Sequence, residues 1–80
     1  MENDMKLVML TSSLDKRCRF SLNSVEIAAI EALAKELFLT YGAAKTRVLV
    51  QNMCAKFGLS DDTTAKVLAY YDEIIAKLSA

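Results

Sequence analysis

The sequence predicts a mainly α-helical, oligomeric domain of three helices, at about 24–39, 44–57 and 60–78, preceded by a short N-terminal strand or hairpin. Three observations carry that expectation. From Ile27 to Leu78 the apolar residues recur at steps of three and four, the spacing of one helix face. Asn23, Ser24 and Ser60 stand where helix N-caps belong, and Gly42 and Gly58 stand where helices stop. Before residue 23 the period changes to two: in Lys16-Arg17-Cys18-Arg19-Phe20-Ser21-Leu22, apolar Cys18, Phe20 and Leu22 alternate with Arg17, Arg19 and Ser21.

Residues 1–5 read as a polar, fraying start, and Lys6 to Leu10 as a short strand, because Leu7-Val8-Met9-Leu10 is a compact apolar run. Thr11-Ser12-Ser13-Leu14-Asp15 reads as a turn, since short polar side chains compete for backbone hydrogen bonds. Residues 16–22 are then the second arm of a hairpin, or a lone strand after a disordered arm. The first helix carries Ile27, Ile30, Leu33, Ala34, Leu37 and Tyr41 on one side, with Glu31 and Lys35 one turn apart. Gly42 breaks it. The second places Thr46, Leu49, Val50, Met53 and Phe57 on one face and ends at Gly58. Ser60 caps the third, with Asp61 and Asp62 in its first turn beside the positive end of the helix dipole. Within it Val67, Tyr71, Ile74 and Leu78 form a seam suited to an oligomer contact or a partner protein.

Eighty residues make a single domain, 1–80, and 54% of them are apolar. So apolar a chain of this length has more hydrophobic surface than one small interior hides, which favours a homodimer or tetramer. Cys18 and Cys54 lack metal-site spacing and histidine is absent, so no zinc site, cofactor or disulfide framework is expected. Reduced cysteines, an acidic N-terminus and the lack of a long apolar run point to a cytoplasmic protein with no membrane association. Formal charge is zero in total but uneven. Residues 16–58 hold seven Lys and Arg against three Glu, whereas each flank has a surplus of two acids. An enzyme is not expected, because the acidic pairs Asp61-Asp62 and Asp72-Glu73 are helix neighbours pointing about 100° apart.

Lys16-Arg17-Cys18-Arg19-Phe20-Ser21-Leu22-Asn23, Ile30-Glu31-Ala32-Leu33-Ala34-Lys35-Glu36-Leu37 and Ala44-Lys45-Thr46-Arg47-Val48-Leu49-Val50 together resemble the ribbon-helix-helix repressors of the Arc, Mnt and CopG type. The resemblance covers residues 16–57. It implies a homodimer whose paired strands enter the major groove of double-stranded DNA, a small sequence-specific transcriptional regulator. Arg17, Arg19 and Ser21 would read bases, Cys18, Phe20 and Leu22 would seal the dimer core, and Lys45 with Thr46 would bind phosphate at a helix start. A helix-turn-helix over 53–68 fits less well, since Asp61 and Asp62 would face phosphates. The alternative from another class is a helical protein-protein interaction module, an adaptor or inhibitor with no nucleic-acid binding.

Overall fold

The computed structural model describes residues 2–80, with side chains from Asp4 onward. They form four helices: α1 (Glu2–Arg19), α2 (Ser24–Tyr41), α3 (Ala43–Lys56) and α4 (Asp61–Ser79). Among the described residues there is no strand. The expected three-helix architecture with an N-terminal strand or hairpin is therefore overturned: residues 6–10, the supposed turn at 11–15 and the alternating run through Arg19 all belong to one helix.

The reason lies in α1's own spacing. Leu7, Leu10, Leu14 and Cys18 step by three, four and four, and the first three are fully or almost fully buried. Leu7-Val8-Met9-Leu10 is compact in sequence, yet only its two ends point inward; Val8 and Met9 are exposed. Thr11 also lies on the inner face and is fully buried. Lys16, Arg17 and Arg19 occupy the last turn, where they complement the negative end of the helix dipole, and Asp15 accepts from Arg19 Nε at 3.3 Å one turn away. Alternation over residues 17–22 was thus a helix end followed by a short connection.

Asn23 caps α2: its side chain accepts from the Glu26 backbone N–H at 2.8 Å, and Glu26 accepts from the Asn23 N–H at 3.2 Å, a reciprocal capping box. Gly42 lies between α2 and α3 at φ 85, ψ 163, a conformation only glycine adopts readily. Its N–H donates to the Phe38 carbonyl, which closes α2, and its own carbonyl accepts from Thr46 N–H as α3 begins. Phe57 and Gly58 close α3, with Gly58 at φ 70. Ser60 caps α4 through Thr63 N–H.

Every helix packs against each of the other three. In a square up-and-down bundle the diagonal pairs would hardly touch, so the four helices do not stand at the corners of such a square. The molecule measures 28 × 27 × 22 Å, hardly longer than one 18-residue helix at about 27 Å. A single core joins Leu7, Leu10 and Leu14 of α1 to Ile30, Ala34 and Leu37 of α2, Val50 and Cys54 of α3, and Val67, Leu68, Tyr71 and Ile74 of α4. Val67, Tyr71 and Ile74 are thus the chain's own interior and not an oligomer or partner stripe; Leu78 is half-buried against the same core. The neighbour they needed was α1, which fills the space a second chain was expected to fill.

Candidate protein-binding face

The residues expected to read DNA do not share a surface. Arg17 lies over the Tyr70 ring, 4.3 Å from its centroid, and reaches Glu73 at 3.9 Å, so its guanidinium is engaged with α4. Arg19 turns back to Asp15. Ser21 is exposed in the α1–α2 connection. Cys18 and Leu22 are half-buried, while Phe20, expected in a dimer core, is 63% exposed. Lys45 stacks on Tyr41 at 5.1 Å, and the buried Thr46 donates to the Leu37 carbonyl at 3.1 Å, leaving that hydroxyl turned away from any phosphate. With no ribbon strand among the described residues, nothing in the fold supports a ribbon-helix-helix repressor or DNA binding, and those expectations are withdrawn.

What the fold does assemble is a two-helix layer. Lys6 pairs with Glu36 at 3.2 Å and Lys16 with Glu26 at 3.3 Å, so α1 and α2 run antiparallel with the two ion pairs at opposite ends of the contact. Helical spacing sets Met5, Met9, Ser12 and Lys16 along the outward side of α1 and Val25, Ala29, Ala32 and Glu36 along that of α2, with Leu39 one turn further. All are exposed. Met5 is 66% exposed, Met9 49%, Val25 76% and Leu39 73%, high values for large apolar side chains. Between the helices lies an open depression of about 150 Å³ bordered by Ser13, Lys16, Leu22, Glu26, Ala29 and Ile30.

The apolar exposure does not come from loose folding. The chain exposes 4958 Å², close to the roughly 4,800 Å² expected for a folded monomer of its 8.9 kDa mass. Nor does the face bring together reactive groups. Burial pushes the Cys18 and Cys54 thiols up, away from the reactive thiolate. The Glu26 carboxyl is held below its ordinary value by the Asn23 backbone N–H and then by Lys16, and it serves as a cap and an ion-pair partner. Among the described residues no cluster of His, Cys, Asp or Glu could hold a metal ion, and no helix is long and apolar enough to cross a membrane.

Met5, Met9, Val25 and Leu39 were not singled out in the sequence, yet a signal was present. On α2 the exposed positions 25, 28, 29, 32 and 39 are Val, Ala, Ala, Ala and Leu, interrupted by Lys35 and Glu36. A surface helix ordinarily reserves that side for charged residues. Compared with known proteins, the chain matches no family model, no curated protein and no solved structure, so the functional reading rests on this geometry.

Proposed function

We propose that the chain is a small, non-catalytic helical module for protein-protein interaction, and that its working surface is the outer face of the α1–α2 layer. The observation behind this reading is that Met5, Met9, Val25 and Leu39 stay exposed on two adjacent helices of a bundle whose own core is already closed. Large apolar side chains left exposed on one layer of a closed bundle are what an interaction site offers a partner. Methionine adds adaptability, because its unbranched, polarisable side chain adjusts to the relief of a partner. The partner's complementary feature is an apolar helical face laid over α1 and α2.

A position-resolved crosslinking experiment tests the reading. A photoreactive benzoylphenylalanine is placed at Leu39 or Val25, and in control chains at Asn52 or Val48 on α3, and each chain is irradiated inside living cells. Polypeptide adducts at 39 and 25 that are absent at 52 and 48 are the expected result. Equal labelling at all four sites, or none at 39 and 25, would remove the proposed surface.

A further inference from the structure

We propose that Met5 and Met9 form a reversible oxidation site, at which a peroxide turns the outer side of α1 from apolar to polar while the four-helix core stays closed; the consequence for a partner rests on the interaction-module reading above. The described sulfur-bearing side chains divide into two groups. Cys54 is inside the core, and Cys18 and Met53 pack against it. Met5 and Met9 stand outside it, 66% and 49% exposed. They lie four residues apart in α1, so their thioethers are neighbours on one side of the helix.

Oxidation of sulfur follows access, and a peroxide therefore meets these two thioethers before it meets Met53. Burial pushes the Cys18 and Cys54 thiols up, which keeps them out of the thiolate form that peroxides attack.

The step is an oxygen transfer. The thioether sulfur attacks one peroxide oxygen, an S–O bond forms as the O–O bond breaks, the sulfur gives up two electrons, and hydrogen peroxide leaves as water. A sulfoxide reductase with a dithiol reverses it: the oxygen departs as water and the dithiol becomes a disulfide. On the outer side of α1 the new sulfoxide oxygen is hydrated, and Leu7, Leu10 and Leu14 keep their places on the inner side. A surface that binds through apolar contact loses that contact when its methionines become polar.

Hydrogen peroxide treatment of the purified chain in mildly acidic buffer tests this, with peptide mass mapping to locate each added oxygen. Thiolate is scarce under those conditions, whereas a thioether has no proton to lose. Met5 and Met9 should each take up one oxygen at least about threefold faster than Met53, with an unchanged helical circular dichroism signal and earlier elution from a hydrophobic-interaction column. Methionine sulfoxide reductases with a dithiol should restore the original elution. The double variant Met5→Leu with Met9→Leu keeps the face apolar and should elute alike before and after peroxide. Met53 reacting as fast as Met5 and Met9 overturns the proposal, as does loss of helix once only those two have reacted, or an equal elution shift in the double variant. In cells, adducts at Leu39 should be lost on peroxide exposure of the parent and persist in the double variant. Adducts that survive oxidation of Met5 and Met9 overturn the consequence for the partner. Adducts missing even before peroxide sink the interaction-module reading and leave the oxidation site standing.

Discussion

Tyr71, Thr46 and Thr11 are buried hydroxyl-bearing residues, and they differ in whether they find an acceptor. Tyr71 donates to the Ala43 carbonyl at 2.7 Å, tying the middle of α4 to the first residue of α3. Thr46 donates to the Leu37 carbonyl, tying α3 to the end of α2. Thr11 Oγ1 has no partner. A buried hydroxyl without a hydrogen bond is a net cost, whereas a bonded one contributes modestly. Tyr71→Phe is therefore expected to lower unfolding free energy by about 1 kcal/mol. Thr11→Val, which keeps the shape and discards the unpaired hydroxyl, is expected to raise it by about 0.5–1 kcal/mol. Urea unfolding of the two variants at neutral pH measures both, and the opposite signs separate the two hydroxyls.

Among the elements, the start of α2 and the turn into α3 depend most on single residues. Asn23→Ala removes one half of the capping box and is expected to cost about 1 kcal/mol. Glu26 supplies the other half. Its carboxyl titrates below the ordinary 4.5 in the folded chain, so its contribution is present above that pH and is lost as pH falls through the lower folded value. Glu26→Gln should accordingly flatten the acid limb of a stability-against-pH profile, and an unchanged profile would show that the cap works without the charge. Gly42 is a backbone requirement. Nothing lies within 4 Å of where a Cβ would sit, so the expected cost of Gly42→Ala, about 1–3 kcal/mol, comes from its positive φ alone. Thermal unfolding of that variant reads the cost directly.

At the scale of the whole molecule, α1 converts what would be an open three-helix sheet of side chains into a closed core. Leu14 is completely buried among the four helices, and Leu14→Ala should cost about 2–5 kcal/mol through lost burial and the cavity left behind. Phe20, beyond the end of α1, is mostly exposed, so Phe20→Asp should change stability by no more than about 0.5 kcal/mol. A dimer sealed through residues 18, 20 and 22 would have made Phe20 the more damaging site. Chemical denaturation of these two variants therefore discriminates the four-helix core from the strand-paired one.

Much of the chain's punctuation was local and therefore legible. Asn23, Ser60, Gly42 and Gly58 act through hydrogen bonds and backbone angles spanning a few residues, and the helices they delimit begin and end within about two residues of where those signals placed them. The first twenty residues were not legible in this way. Cys18, Phe20 and Leu22 alternate like a strand, while Leu7, Leu10, Leu14 and Cys18 step like a helix. Both patterns are present in the same stretch, and the choice between them rests on which face finds a core to enter. The other three helices leave a place for Leu7, Leu10 and Leu14, and filling it turns Arg17 toward Tyr70 and Glu73 instead of toward the DNA it was expected to read. The candidate face was hidden for the same reason. By itself the sequence determined that the chain is rich in apolar helix, because periodicity and caps are local. Only the tertiary structure decided that Val67, Tyr71 and Ile74 turn inward while Met5, Met9, Val25 and Leu39 remain outside, because burial depends on how four helices cross.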